Sequence, residues 1–284
     1  MMETWIVMRS HNDMPWIQET LGMLARQKSP YKLLVLDNDS TDGTAEAVKK
    51  HSDKIINVPK GMYKPGRVLN QGMEATQGEF VVFLNSDCVP QDEWWLQNLL
   101  SGFADEKTAA VFGRQIPRPD CHAIYARDTE ETFGDGKRQQ AWRHCFSMAS
   151  SVIRRSVWEK MPFDEKLQYS EDIDWTWRAR QLGYEIRYVP EAVVTHSHNY
   201  TWKQYHKRHY GEGRAEAFIF EWSFWQQSFL RYSFLPYARQ VVSDWKYCLR
   251  RRELAALFSS PVLRLAQLLG RRAGFRAGIK ERMA

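Results

Sequence analysis

Residues 33–44 read Leu-Leu-Val-Leu-Asp-Asn-Asp-Ser-Thr-Asp-Gly-Thr. Four apolar residues in a row, without polar alternation, are typical of a strand buried on both faces of a sheet. The polar run that follows forms a turn and opens a helix at Thr44. The same order of apolar run, polar exit and helical pattern recurs at 5–27 and at 80–103. These units predict an α/β fold built on a mostly parallel sheet.

Polar side chains follow three of the predicted strands, at 9–13, 37–43 and 85–90. Ligands of open α/β sheets bind at the carboxyl ends of the strands, so acids and amides there favour a polar ligand that carries a cation. A dinucleotide-dependent dehydrogenase is disfavoured because no GxGxxG follows the first strand. Nucleotide hydrolysis is disfavoured because, in 61–68, Gly66 is followed by Arg67 and Val68, where a phosphate loop carries a lysine and a hydroxyl residue.

The composition indicates a globular protein of a reducing compartment. The chain has 284 residues, 43% hydrophobic and 26% charged, which suffices for a full core. Four widely spaced cysteines match neither a disulfide framework nor a zinc site. The first nine residues lack a basic leader, and no run reaches the roughly 18 apolar residues of a membrane span. We therefore expect a cytoplasmic location.

Charge is distributed unevenly along the chain. Residues 199–284 hold 16 Lys and Arg against 6 Asp and Glu, whereas the rest of the chain has a net charge of −4. Aromatic residues such as Trp202, Phe229 and Phe234 are interleaved with these cations. We predict a first domain at 1–199 and a helical, basic region at 200–284. Such a region suits an anionic membrane surface or an acceptor-docking role.

Four motifs in order carry a family resemblance: 35–44, Asn-Gln-Gly at 70–72 with Gly-Glu-Phe at 78–80, Asn-Ser-Asp at 85–87, and Ser-Glu-Asp-Ile-Asp-Trp at 170–175. Over roughly 4–198 they resemble an inverting family 2 glycosyltransferase of the GT-A fold. The stretches 66–70, 113–117, 188–192 with 196–198, and 263–267 further resemble the bacterial rhamnosyltransferase-like branch, which builds surface polysaccharides. The resemblance implies a Rossmann-like, mostly parallel sheet flanked by helices, with a helical C-terminal extension.

The resemblance implies a nucleoside diphosphate sugar donor and a Mg²⁺ or Mn²⁺ ion, hard cations that carboxylates bind. Asp87 would hold the ion and His196 would complete its shell, with His198 as the alternative. Position 85 is Asn85 where relatives usually carry an aspartate, so we expect weaker metal binding. The donor-binding candidates are Arg9, Asn12, Asp37, Asn38, Lys64, Arg67, Asn70, Asn85 and Ser86.

Asp172 resembles the base that takes the proton of the attacking acceptor hydroxyl, with Glu171 beside it. The helix dipole at this position lowers a carboxylate pKa, whereas the adjacent like charge raises it, and the sequence leaves the outcome open. Trp175 is a candidate platform for an acceptor sugar, although aromatic residues at helical spacing are more often core.

Together these features favour an enzyme that moves a sugar, rhamnose in particular, onto a saccharide or lipid-linked saccharide in surface polysaccharide assembly. The tail favours a peripheral position at the inner face of the plasma membrane. A sugar nucleotidyltransferase is the first alternative, but it needs a Gly-rich phosphate loop that 9–13 does not provide. A nucleic-acid-binding module using the basic tail is the second, and it leaves the acidic strand ends unexplained. We expect no nucleic acid partner, and the oligomeric state is open.

Overall fold

A computed structural model describes residues 3–138, 145–220 and 228–283. The strands are β1 (Trp5–Ser10), β2 (Lys32–Asp37), β3 (Lys54–Asn57), β4 (Phe80–Asn85), β5 (Val89–Pro90), β6 (Thr108–Ile116), β7 (Ser150–Arg154) and β8 (Glu185–Thr195). The helices are α1 (Trp16–Leu24), α2 (Thr44–Lys49), α3 (Pro65–Glu74), α4 (Trp95–Ser101), α5 (Ala123–Thr132), α6 (Arg155–Trp158), α7 (Glu171–Gln181), α8 (Trp202–Ile219), α9 (Leu235–Arg251) and α10 (Leu254–Met283). A π-helical turn, Leu230–Phe234, leads into α9.

The strands form one sheet in the order β3-β2-β1-β4-β7-β6-β8-β5. The first four strands in this order run parallel to one another. β7 is antiparallel to both β4 and β6, whereas β8 is parallel to β6 and antiparallel to β5. This arrangement confirms the predicted α/β class with a mostly parallel sheet.

Each inner strand contributes alternate side chains to two apolar clusters. On β1, Val7 belongs to one cluster, whereas Ile6 and Met8 belong to the other. On β2, Leu34 and Leu36 join the cluster of Val7. Both faces of the sheet are therefore covered, which is the physical reason that these strands are apolar at every position.

The strand and helix units predicted at 5–27, 33–44 and 80–103 are present, and the helix predicted to open at Thr44 begins there. The helix α5 and the short strand β5 were not predicted. Both missed elements lie in or beside Pro-containing stretches, where periodicity carries little information.

The chain forms two compact units whose division differs from the predicted boundary at 199/200. The first unit comprises 1–116, 130–166 and 171–196, and the second comprises 117–129, 167–170 and 197–284. The second unit therefore includes two segments that precede residue 197 in the chain. Arg127 and Asp128 explain the first of these, because both form ion pairs within this unit, with Asp244 and Arg264 respectively.

Helices α8 and α10 of the second unit pack in close contact through glycines. A Cβ at Gly213 would overlap the Arg271 carbonyl oxygen, and one at Gly274 would overlap that of Tyr210. Glycine is thus required wherever the two backbones approach this closely. Within the described residues, no helix is both long enough and apolar enough to span a bilayer.

A buried ion pair holds α9 against α10. The side chains of Arg264 and Asp244 are fully buried, and two guanidinium nitrogens of Arg264 donate to the two carboxylate oxygens of Asp244 at 2.8 Å. Ser260 and Arg127 donate to the same carboxylate at 2.6 and 2.8 Å. This bidentate geometry satisfies both charges away from water.

We predict that Asp244→Ala destabilises the second unit by roughly 3–5 kcal/mol, because it removes the fully buried carboxylate that Arg264 and Arg127 share and leaves both guanidinium groups with the partly exposed Asp128. Chemical denaturation measures the change in the free energy of unfolding. Gln240→Ala, an exposed position on the same helix, is the matched control and should change stability by less than about 0.5 kcal/mol. Equal effects of the two substitutions would contradict the prediction.

Candidate active site

The register of the parallel strands brings polar side chains together at the carboxyl edge of the sheet. Arg9 on β1 lies opposite Asn85 on β4, and Ser10 lies opposite Asp37 on β2. All four residues stand at the last positions of their strands. The predicted convergence of the strand exits is therefore present in the fold.

Asp37 is buried and held in one orientation. Its carboxylate accepts hydrogen bonds from the Ser10 hydroxyl at 2.8 Å, the Ser40 hydroxyl at 2.6 Å and the Ser40 backbone N–H at 3.0 Å. Next to it, the buried Oδ1 of Asn38 accepts no hydrogen bond from any of the described residues. A buried acceptor of this kind is rare and suits a donor group of a ligand.

Asn12 joins the loops that follow β1 and β2. Its backbone has a left-handed φ of 55°, and its Oδ1 accepts from the Thr41 N–H at 2.7 Å. The Asn12 N–H donates to the Ser40 hydroxyl at 3.0 Å, and the His11 ring donates through Nδ1 to the Asn38 carbonyl at 2.6 Å. The contacts of Asn12 thus shape the surroundings of Asp37 and Asn38.

A carboxylate and an imidazole form a pair suited to a metal ion. Nε2 of His196 lies 3.5 Å from Oδ2 of Asp87, close enough for both atoms to share one cation. His196 donates from Nδ1 to the Gln115 side-chain oxygen at 2.7 Å, and Gln115 in turn donates to the Ser147 hydroxyl at 2.8 Å. This bond sets the tautomer that leaves Nε2 as the ligand atom.

His196 and His198 both lie past the end of β8, which stops at Thr195. His196 belongs to the first unit together with Asp87, whereas His198 belongs to the second.

Glu171 and Asp172 begin α7. Burial is the main cause that raises the pKa of Glu171 to about 7, and the charge of Asp172 adds to it. Burial also raises the pKa of Asp172, although the N–H groups of Ile173 and Met148 donate to its carboxylate at 2.8 and 3.4 Å. Desolvation therefore outweighs the hydrogen bonds at the start of the helix. The sequence left open whether the helix dipole or the adjacent like charge prevails, and it does not show burial, which is the main cause here.

Arg9 connects the acid pair to the sheet. Its Nη2 and Nε donate to the Asn85 side-chain oxygen at 2.8 and 3.2 Å, and its Nη1 lies 3.6 Å from the Glu171 carboxylate. The two ion-pair side chains are only 15% and 10% exposed, so water screens them little. The positive charge of Arg9 lowers the pKa values of both Glu171 and Asp172.

Three residues that the sequence analysis did not select belong to this network. Asp13 accepts a short hydrogen bond from the Ser86 hydroxyl, Ser40 supports Asp37, and Gln115 supports His196. Asp13 and Ser40 stand in the polar strand exits, and Gln115 in the stretch 113–117, so the signal was present. The pairs Asp13–Ser86 and Gln115–His196 join residues far apart in the sequence, so the sequence does not show them, whereas Ser40 follows Asp37 by three residues.

Lys64 and Arg67 are exposed at the start of α3. Within residues 3–138, 145–220 and 228–283, neither cation forms an ion pair in the structure. Arg67 lines a surface pocket with Asn57, at the end of β3, and Glu165. Arg67 therefore lies beside the end of β3, whereas Lys64 precedes α3 and is not among the residues that line this pocket.

The amide of Asn70 serves the scaffold. Its Oδ1 accepts from Trp158 Nε1 and the Phe163 N–H at 2.9 and 3.0 Å, and its Nδ2 donates to the Phe163 carbonyl and the Glu165 carboxylate at 3.0 and 3.1 Å. These contacts join α3 to the segment 163–165. They engage both the oxygen and the nitrogen of the Asn70 side chain, which was predicted to bind the donor.

The prediction of Trp175 as an acceptor-binding residue is wrong. Its side chain is 0% exposed, packs on the ring of Phe163 and donates from Nε1 to the Met161 carbonyl at 2.7 Å. A ring buried on all sides cannot stack on a sugar. The physical reason is position on the helix, because Trp175 faces the core whereas Glu171 and Asp172 stand at the helix end.

Comparison with known proteins agrees with this geometry. The family model for Glycosyl transferase family 2 matches residues 5–161. The chain is 34% identical over 199 residues to the O-antigen chain rhamnosyltransferase WbaN of Salmonella anatum, covering 66% of this chain and 63% of that protein. It is 30% identical over 200 residues to RfbN of Salmonella typhimurium, also an O-antigen chain rhamnosyltransferase, covering 66% and 64%. The chain thus spans just under two thirds of the length of these curated relatives.

Solved structures show the same fold. The mannosyltransferase PcManGT from Pyrobaculum calidifontis, in complex with GDP-Man and Mn²⁺, matches with a TM-score of 0.64 at 17% identity, over 99% of this chain and 87% of that one. Glucosyl-3-phosphoglycerate synthase from Mycobacterium tuberculosis, with Mn²⁺, UDP-glucose and phosphoglyceric acid, matches with a TM-score of 0.56 at 18% identity, over 77% and 78%. The family match, the sheet topology and these structural likenesses agree: the chain belongs to glycosyl transferase family 2 and has the GT-A fold.

Proposed function

We propose that this protein transfers a sugar, with inversion, from a nucleoside diphosphate sugar to a saccharide or lipid-linked saccharide in surface polysaccharide assembly, rhamnose being the proposed sugar. One observation carries the proposal: at the carboxyl edge of one sheet, Arg9 connects an acid pair of raised pKa to Asn85, and the carboxylate of Asp87, two residues after Asn85, pairs with the His196 imidazole. The similarity to O-antigen rhamnosyltransferases supports the choice of sugar.

The donor half of the site is assigned to the ends of β1 and β2. Asp37, held by Ser10 and Ser40, offers its carboxylate to a ribose hydroxyl or a base N–H, and the unpaired Oδ1 of Asn38 accepts a second donor. Lys64 and Arg67 supply positive charge for the diphosphate, since neither is neutralised by an ion pair among the described residues.

Asp87 and His196 are the residues that would hold the metal ion. One carboxylate oxygen and one neutral imidazole nitrogen suit Mn²⁺ better than Mg²⁺, which prefers oxygen ligands alone. An ion held by these two residues would stabilise the charge that develops on the departing diphosphate. Gln115 accepts from Nδ1–H of His196, so that Nε2 is the nitrogen that would bind the ion, and His198, two residues further along the chain, is retained as the alternative ligand from the sequence.

Asp172 is assigned as the base. It takes the proton of the acceptor hydroxyl while the acceptor oxygen bonds to the anomeric carbon and the bond from that carbon to the diphosphate oxygen breaks. The raised pKa of Asp172 makes it a stronger base than an exposed aspartate. Glu171 stays paired with Arg9, which holds the start of α7 against the end of β1.

The proposed acceptor carrier is a membrane lipid, with the protein bound peripherally at the inner face of the plasma membrane. The basic second unit supports this placement, because anionic lipid attracts clustered Lys and Arg residues.

We predict that Asp172→Asn lowers the transfer rate by roughly 10²–10⁴-fold, because the amide cannot accept the hydroxyl proton, while donor binding persists. Binding is measured by thermal shift with UDP, dTDP and GDP, each with and without Mn²⁺, in the wild type and the variant. Transfer is measured with the sugar nucleotide of whichever base binds.

Asp174→Asn is the matched control, since Asp174 lies on the same helix and is paired with Arg178. This variant should retain transfer. A wild type that responds to none of the nucleotides would refute the donor site, and an active Asp172→Asn variant would refute the base.

We predict that Gln115→Leu weakens Mn²⁺ binding by roughly 10–100-fold, because His196 loses the acceptor that sets its tautomer. Gln115→Glu should retain affinity, since a carboxylate accepts the same hydrogen bond. Titration of Mn²⁺, followed by the EPR signal of the free ion with the nucleotide present, measures this directly and needs no turnover.

His196→Ala serves as the reference for loss of the ligand itself, and the exposed His51→Ala as its control. If His196→Ala weakens Mn²⁺ binding but Gln115→Leu does not, the positioning role of Gln115 is wrong. If neither does, the metal site lies elsewhere.

We predict that kcat/KM falls on the acid side of its pH profile and that this limb lies at higher pH than for an exposed aspartate, because burial raises the pKa of the base Asp172. Arg9→Gln should move this acidic limb to higher pH, since the charge of Arg9 lowers both pKa values. A pH–rate profile measures the limb, with Lys28→Gln, an exposed lysine paired with Glu93, as control. An unmoved limb in Arg9→Gln would contradict the electrostatic role of Arg9.

A further inference from the structure

The second unit exposes a long apolar face on α10. Leu254, Phe258, Val262, Leu265 and Leu269 are 45–83% exposed, with Phe258 the most exposed. Their spacings of four, four, three and four residues place them on one side of the helix. We call these five residues the outer face of α10. The residues between them, such as Ser260, Leu263 and Arg264, are buried on the opposite side.

A second apolar stripe runs beside it on α9. Leu235, Val242, Trp245 and Leu249 are 42–57% exposed and recur at spacings of seven, three and four. We call these four residues the outer stripe of α9. Trp245 donates from Nε1 to the Leu257 carbonyl at 3.0 Å, so the stripe meets α10 at the turn that carries Phe258.

Exposed cations border both surfaces. Arg239, Lys246 and Arg250 lie along α9 next to its stripe, and Arg276 and Lys280 continue the helical spacing beyond Leu269 on α10. Residues 228–283 contain twelve Lys and Arg against three acids. All three acids are paired with arginines: Asp244 with Arg264, Glu253 with Arg251 and Glu281 with Arg214.

This combination identifies the chemistry of the partner. Large apolar side chains at successive helical turns need an apolar medium, and the bordering cations need anions at its rim. An anionic bilayer offers both within a few ångströms, as acyl chains beneath phosphate headgroups. A second copy of this chain would instead bring one positive surface against another, which like-charge repulsion opposes.

We propose that the outer face of α10 and the outer stripe of α9 form a docking surface for an anionic lipid bilayer, with Phe258 inserted among the acyl chains. Helix α10 then lies in the plane of the interface, and its apolar part, 254–269, covers about 24 Å. The inference deepens the function proposed above and rests on it for a lipid-linked acceptor, but the binding itself is measured without catalysis.

The test is co-sedimentation of the full chain with vesicles of phosphatidylcholine alone and of phosphatidylcholine mixed with phosphatidylglycerol. We expect binding to the anionic vesicles that is at least about ten-fold stronger and weakens with added salt. The double variant Phe258→Glu/Leu265→Glu should lose about ten-fold or more of this binding, since both side chains are exposed and the substitution adds negative charge. Leu182→Glu, an exposed leucine of the first unit, is the matched control and should bind as the wild type does.

Three results would overturn the proposal: no binding of the wild type to anionic vesicles, equal binding to both kinds of vesicle, or full binding by the double variant. If light scattering shows that the wild type is an oligomer and the double variant a monomer, while vesicle binding is unchanged, a second copy covers the surface instead. The nucleotide thermal shift of the double variant keeps the two hypotheses apart. A retained shift with lost vesicle binding supports the docking surface, whereas a missing shift in the wild type counts only against the donor site.

Discussion

The parallel register of β1 with β2 and β4 is the constraint on which the site depends. Since Arg9 pairs with Asn85 and Ser10 with Asp37, the polar residues that end three strands are fixed at one edge. The apolar residues before them fill both faces of the sheet, so a shift by one residue would bury these polar groups in the core and expose core side chains. Burial of the apolar strand residues therefore determines where the polar residues of the site lie.

Arg9 connects this edge of the sheet to the acid pair on α7 and sets the electrostatics of that pair. Its guanidinium bridges Asn85 of the sheet and Glu171 of α7, in surroundings with little solvent. Burial raises the pKa values of Glu171 and Asp172, and Arg9 limits that rise. The charge of Arg9 thus lowers the pKa values of two acids that burial would otherwise drive to the neutral form. The side-chain oxygen of Asn85 accepts two hydrogen bonds from that cation.

The second unit is organised by a different balance of forces. Inside, Arg264 and Asp244 satisfy one another in a bidentate pair, and glycines bring α8 and α10 into backbone contact. Outside, the same helices expose apolar residues bordered by cations. Arg264 and Asp244 are buried together as a pair, whereas large apolar side chains such as Phe258 remain in contact with solvent. This inversion of the usual pattern in water is what points to a bilayer.

The sequence by itself determined the α/β class, the strand exits, the candidate acids Asp37, Asp87 and Asp172, and the basic character of the chain beyond 199. These are local properties, read from periodicity, from motifs a few residues long and from charge. Only the tertiary structure decided that Trp175 lies in the core, that Asn70 holds α3 in place and that Gln115 positions His196. It also decided that burial prevails over the hydrogen bonds at the start of α7. The physical reason is that each of these outcomes depends on which groups distant in sequence become neighbours, and on how much water is excluded between them.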